Sequence, residues 1–91
     1  MSSYTTYFAE YIGTFFFILA IFSSNGNPIV VGLALMLVIF LIGPQSGGHV
    51  NPAVSYSQFL ASKLNATGLM GYVAAQVLGA VSAYYAYKMT K

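Results

Sequence analysis

A helix start lies in the middle of an otherwise apolar chain, within the decamer SGGHVNPAVS at residues 46–55. Asn51 is a preferred helix-capping residue, and Pro52 fits the first helical position because the N–H that proline lacks would have no partner there. The residues before Asn51 are too polar and too rich in glycine to face lipid. Such backbone is tolerated at membrane depth only where protein buries it or where it lines a water-filled cavity. The segment Asn51, Pro52 and Ala53 therefore predicts a re-entrant half-helix whose positive end faces a polar space.

The composition limits the chain to a membrane environment. Of its 91 residues, 58% are hydrophobic and 4% are charged, whereas a soluble domain carries about 25% charged residues. Without a basic or acidic run, we expect membrane lipid, and no nucleic acid, as a partner. The sequence has no cysteine, no cluster of metal ligands, no nucleophile–base pair and no phosphate loop. We predict an integral multi-pass protein of the cell or inner membrane that has no cofactor and is not an enzyme.

Three apolar stretches are long enough to cross a bilayer, which takes about 20 residues. Pro44 is predicted to stop the second of them. The predicted elements are, in order, a helix over 4–22, a helix over 28–43, a re-entrant loop with its half-helix over 44–61, and a helix over 68–87. We therefore predict an all-α membrane fold of three transmembrane helices and one re-entrant half-helix, forming a single repeat over residues 1–91.

Small residues predict how the last helix packs. Gly71, Ala75, Gly79 and Ala83 recur every four residues and so lie on one face of the helix. Small side chains let two membrane helices approach closely. We predict that this face contacts another helix of the chain.

The decamer resembles the first Asn-Pro-Ala loop of the aquaporin and glycerol-channel family, the major intrinsic proteins. Residues 9–14 (AEYIGT) and 75–80 (AQVLGA) resemble the signatures of that family's first and third helices. Residues 31–33 (VGL) lie where its second helix begins to line the pore. The resemblance covers nearly the whole chain but only half of the family's usual length. It implies half of an aquaporin fold and a passive channel for water and small neutral solutes such as glycerol.

The loop before the half-helix is the predicted solute contact. The N-terminus of a helix carries roughly +0.5 of an elementary charge, which disfavours cations. The Asn51 amide can donate a hydrogen bond to a passing solute. If the loop is extended, its carbonyls form a row of acceptors, contributed by Gly47, Gly48, His49 and Val50. Small neutral hydrogen-bonding solutes suit such a wall. The alternative is that Asn51 only caps the helix and contacts no solute.

Three further polar residues have more than one interpretation. His49 is the single histidine, and the resemblance implies that it holds the loop and contributes to the pore wall; the alternatives are a pH gate or a metal ligand. Glu10 is the single acid and lies within a span, where a carboxylate is costly and usually functional. It either serves a proton-coupled exporter or, as the resemblance implies, braces the backbone donors of the loop. The resemblance assigns a similar bracing role to Gln76.

Two valines bear on solute preference. By the resemblance, Val31 occupies a position of the family's outer constriction, where water-selective members usually place an aromatic side chain. Val54 directly follows the Asn-Pro-Ala motif, and the chain has no arginine to narrow a gate. These residues predict a wider, less polar gate that passes glycerol-like solutes.

Three spans and one half-span cannot enclose a pore. Lys63 is expected on one side of the membrane, with Lys88 and Lys91 on the other, so the charge bias that fixes orientation is weak. Two antiparallel copies would recreate an inverted repeat and bring two Asn51 side chains together at the bilayer midplane. We predict this homodimer, with a tetramer of dimers as a further expectation; the alternative is a non-conducting half that pairs with a separate partner half.

Overall fold

The computed structural model describes residues 3–91 as four helices joined by short connections. They are α1 (Ser3–Ser23), α2 (Pro28–Ser46), α3 (Pro52–Leu60) and α4 (Ala66–Met89). The first, second and fourth are long and apolar enough to cross a membrane. The nine residues of α3 extend only about 14 Å, less than half the hydrocarbon core. The predicted all-α membrane fold is confirmed, and the chain is an integral multi-pass membrane protein. Residues 1 and 2 of the predicted repeat lie outside the described residues.

Asparagine side chains begin α2, α3 and α4. The Oδ1 atoms of Asn27, Asn51 and Asn65 each accept a backbone N–H of the first turn, at 3.0, 2.8 and 2.7 Å respectively. In α2 and α3 the cap is followed by Pro28 and Pro52, whose fixed φ suits the first helical position. These starts depend only on neighbouring residues, which is why the sequence alone predicts them.

The end of α2 differs from the prediction. The helix continues through Pro44 to Ser46, so the predicted stop at Pro44 is wrong. Proline removes the hydrogen bond to Phe40, but the preceding Gly43 has no Cβ to meet the proline ring, which lowers the steric cost. The helix ends where Gly47 adopts a φ of 88° and its N–H donates to the Gly43 carbonyl at 2.7 Å.

Small residues of α4 set its contact with α1. Ala75, Gly79 and Ala83 are buried, and a Cβ placed on Gly79 would lie only 2.5 Å from the carbonyl oxygen of Tyr11. The two backbones therefore approach at a distance that no larger residue permits. The predicted packing face of α4 is confirmed.

The remaining helices have fewer neighbours. Within the described chain, α2 packs on α1, and α3 packs on α4. Of the residues in α2, only Val38 and Ser46 are buried. Large apolar side chains cover the rest of its surface, including Leu33, Met36, Leu37, Phe40 and Leu41. This surface is left for lipid or for another protein chain.

Candidate functional site

Glu10 lies at the centre of the contacts that hold the loop between α2 and α3. Its side chain is fully buried. Oε1 accepts the N–H of Val50 at 2.8 Å and Nε2 of Gln76 at 3.0 Å, whereas Oε2 accepts the N–H of His49 at 2.9 Å and Oγ of Ser46 at 2.6 Å. A carboxylate offers about four acceptor positions. All four positions are used, so the hydrogen bonds compensate for the loss of water around the buried Glu10 side chain.

Ser55 connects the half-helix to the loop and to α4. It is fully buried, and its Oγ accepts from Gln76 Nε2 at 2.9 Å and lies 2.8 Å from Nδ1 of His49. The His49 ring stacks on Tyr72, with ring centroids 4.5 Å apart. The Tyr72 hydroxyl donates to the carbonyl of Ser46 at 2.6 Å. These contacts fix the start of α3 against the body of the molecule.

The protonation of the His49 ring depends on its burial and on two neighbours, Glu10 and Ser55. Burial lowers the pKa of the His49 imidazole below its ordinary value, and the Glu10 carboxylate opposes that effect. The ring is therefore neutral at pH 7. Ser55 Oγ accepts from Gln76 and still offers Nδ1 of His49 both a lone pair and a proton, so the direction of that bond follows the tautomer of the ring.

The loop backbone turns sharply at three residues. Gly47, Gly48 and Val50 have φ values of 88°, 66° and 46°. The left-handed region suits glycine but strains a β-branched residue. Val50 is held there by its buried side chain and by the bond from its N–H to the Glu10 carboxylate. A Cβ on Gly48 would lie 3.2 Å from Cα of Ile39, so the loop also approaches α2 closely.

The direction of the loop carbonyls follows from these bonds. The N–H groups of Gly48, His49 and Val50 all point at buried acceptors inside the molecule. The described residues contain no cis peptide bond, and in a trans peptide the carbonyl points opposite to the N–H of the next residue. The carbonyl oxygens of Gly47, Gly48 and His49 therefore point away from the brace, as a row of three acceptors.

Asn51 lies at the exposed end of this row. Its Oδ1 caps α3 by accepting the N–H of Ala53, so the Nδ2 donor is the end of the amide left for another molecule. Asn51, Pro52 and Ala53 are exposed together with Val54. The N-terminus of α3, with its partial positive charge, is thus uncovered.

The structure brings most of the predicted contact residues to one open cavity of about 210 Å³. Its wall from the loop and half-helix consists of Gly48, His49, Val50, Asn51 and Val54, and the opposite wall of Phe17, Leu35 and Ile39. Gly47 and Ala53 adjoin this wall in sequence, and Pro52 lines a second cavity between α1 and α4. Val31 lines neither cavity. It lies one turn before Leu35 on the same face of α2, towards the start of that helix.

Sequence reasoning missed several residues that build the site. Ser46, Ser55 and Tyr72 also make hydrogen bonds that hold the loop. Two of them carry a readable signal. Ser55 is a polar residue one turn after the cap of a mainly apolar half-helix, and Tyr72 stands four residues before Gln76, on the same helix face.

Comparison with known proteins defines the class of this membrane protein. The sequence model of the family described as "Major intrinsic protein" matches residues 1–90. The chain is 34% identical over 90 residues to the glycerol uptake facilitator protein-like 6 of Lactiplantibacillus plantarum, covering 90% of this chain and 42% of that protein. It is 43% identical over 58 residues to aquaporin Z of Brucella melitensis, covering 64% and 25% respectively. It is also 36% identical over 86 residues to a lens fiber major intrinsic protein of Lithobates pipiens, covering 82% and 33%.

The chain belongs to the major intrinsic protein family, and the predicted resemblance is confirmed. It spans less than half the length of these relatives. The matched residues 1–90 of this chain include the three spans and the half-helix described above.

Proposed function

We propose that this chain forms a passive channel for water and small neutral solutes such as glycerol, completed by a second, antiparallel copy. The observation that carries the proposal is the order of hydrogen-bonding groups along the loop. The outward carbonyls of Gly47, Gly48 and His49 end at the free Nδ2 donor of Asn51. The names of two relatives, a glycerol uptake facilitator-like protein and an aquaporin, support the same class of solute.

The proposed mechanism is an exchange of hydrogen bonds. A water molecule or a polyol hydroxyl donates to the carbonyl row and accepts from Asn51, so it loses its hydration without losing hydrogen bonds. The apolar side chains opposite the row, Phe17, Leu35 and Ile39, offer no alternative partner. The uncovered N-terminus of α3 opposes cations and protons at the same place.

The second copy accounts for the surfaces that this chain leaves open. The exposed tip at Asn51, Pro52 and Ala53 faces no other described residue that would close the solute path. An antiparallel copy would place a second half-helix opposite the first, with the two Asn51 amides near the midplane. The apolar surface of α2 would then be available for a tetramer of such dimers.

The contacts of Glu10 argue against the proton-coupled exporter. A carrier of that kind needs a carboxyl group that a substrate and a proton reach in turn. Glu10 is fully buried and each oxygen already accepts two hydrogen bonds. Access would require that the loop first leave its brace, so the structural role is the better account.

Osmotic shrinkage of liposomes that contain this chain alone tests the proposal. We expect faster shrinkage than in empty vesicles, with no proton conductance. Asn51→Asp should admit cations, because a carboxylate offsets the field of the half-helix. The matched control is Asn65→Asp, which makes the same change at a helix cap in the connector before α4 and should leave cation exclusion intact.

Three results would contradict the proposal. Vesicles with verified insertion that shrink no faster than empty ones would exclude a self-sufficient channel. Flux that appears only after a separate protein is added would assign the second half to that protein. Export that is driven by a proton gradient and abolished by Glu10→Gln would establish the carrier.

A further inference from the structure

A second cavity, of about 280 Å³, lies between α1 and α4 on the other side of the loop tip. It shares Phe17, Val50 and Asn51 with the cavity next to α2. Two buried side-chain oxygens of residues in its wall have no hydrogen-bond partner among the described residues, Oγ1 of Thr14 and Oε1 of Gln76. Both side chains are at least 97% buried. Two unpaired oxygens beside one cavity call for a common explanation.

The orientation of Gln76 is fixed by its other end. Its Nε2 donates to Glu10 at 3.0 Å and to Ser55 at 2.9 Å. Turning the amide over would place its oxygen against the carboxylate, so Oε1 stays where no protein donor reaches it. The remaining walls, which include Ile18, Val77 and Ala80, are apolar except for Asn51, whose Nδ2 makes no hydrogen bond to Oε1 of Gln76.

We propose that this cavity is a water-binding site anchored by Thr14 and Gln76. Water donates to Oε1 of Gln76, while the Thr14 hydroxyl donates to the same water or accepts from it. The cavity exceeds the volume of roughly 30 Å³ that one water molecule occupies in the liquid. The site shares Asn51 with the proposed solute path, but its anchors, Thr14 and Gln76, lie outside the carbonyl row, and water can bind there whether or not the chain conducts solute.

Water magnetisation transfer to methyl groups tests the site directly. The experiment uses the full chain in detergent micelles. The Ala80 methyl lines the cavity, whereas the Ala83 methyl is fully buried elsewhere on α4. We expect a cross-peak between water and the Ala80 methyl, with the sign of a long-lived bound water, and none to the Ala83 methyl. Its absence at Ala80 in the wild-type protein would overturn the proposal.

Two variants of Thr14 separate the hydroxyl from the shape of the side chain. Thr14→Val keeps the volume but removes an anchor, so we expect loss of the Ala80 cross-peak and a lower thermal midpoint. Thr14→Ser keeps the hydroxyl and should retain the cross-peak. In a dry cavity, Thr14→Val would remove an unpaired polar group and raise the thermal midpoint. That rise would overturn the proposal even if channel activity were normal.

Discussion

Gly48 approaches α2 closely, and Gly26 provides a matched glycine without such a neighbour. Gly48 and Gly26 have similar φ values, 66° and 72°, but only Gly48 would place a Cβ near another atom, 3.2 Å from Ile39 Cα. Both substitutions to alanine incur about 1–2 kcal/mol for the left-handed backbone. We expect Gly48→Ala to lower the free energy of unfolding by about 1–3 kcal/mol more than Gly26→Ala does, because of overpacking.

Denaturant unfolding in detergent micelles measures this difference. Equal losses in the two variants would show that the loop has room to move away from α2. In that case the direction of the carbonyl row would not be fixed by packing on α2.

Val31 tests the predicted preference for wider solutes. Because Val31 lies one turn before Leu35 on the same face of α2, an aromatic ring there would project towards the proposed solute path. We expect Val31→Phe to reduce glycerol flux more than water flux, since the ring narrows the gate sterically. Val30→Phe adds the same ring on a neighbouring, exposed face and should change neither flux.

Stopped-flow measurements of both solutes decide the matter. A wild-type protein that passes water but excludes glycerol would show that residues other than Val31 and Val54 select the solute. Equal changes of flux in Val31→Phe and Val30→Phe would mean that the face of α2 with Val31 does not line the solute path.

Among the helices, the contact between α1 and α4 is the one most sensitive to a single methyl group. A Cβ on Gly79 would lie 2.5 Å from the Tyr11 carbonyl, whereas one on Gly32 of α2 would meet no atom within 4 Å. We expect Gly79→Ala to destabilise the protein by about 1–3 kcal/mol. Gly32→Ala should be neutral or slightly stabilising, because alanine has the higher helix propensity. The same unfolding assay compares them, and a tolerated Gly79→Ala would show that the two helices can separate.

Helices and their caps are predictable because their signals are local. Asn51 and Pro52 mark a helix start without knowledge of the rest of the chain. Pro44 misleads for the same reason, since its effect depends on the unusual freedom of Gly43 beside it. The left-handed Val50 has no local signal at all. Its strain is held by contacts that only the folded chain brings together.

The brace around Glu10 is beyond local prediction. Its donors lie between 36 and 66 residues away along the chain. The position of Glu10 within a membrane span indicates that it has a role. It does not show whether Glu10 carries protons in an exporter or accepts hydrogen bonds from the loop. The family resemblance implies the brace, whereas the contact of Ser46 with Glu10 is visible only in the folded arrangement.

For the whole molecule, the distribution of lysines predicts the topology. Lys63 precedes α4 and Lys88 lies in its last turn, so most of this helix of 24 residues separates them. One lysine against two gives little orientation bias. We expect reporters fused after Lys91 to register on both sides of the membrane in comparable amounts. Adding two arginines beside Lys63 should fix one orientation and abolish flux.

A variant with the opposite charge bias provides the control. Co-reconstituted with the first variant, it should restore flux, because each supplies one orientation. A single orientation for all wild-type copies would contradict the antiparallel homodimer and favour a separate partner half.

The buried position of Glu10 has a consequence for biosynthesis. Ribosomes make α1 well before Ser46, His49, Val50 and Gln76, the residues that donate to its carboxylate. A charged side chain near the centre of an isolated nascent helix costs on the order of 3 kcal/mol during insertion. The first span is therefore made before any of the groups that donate to its carboxyl oxygens. The set of donors around Glu10 is complete only once Gln76 of α4 has been made.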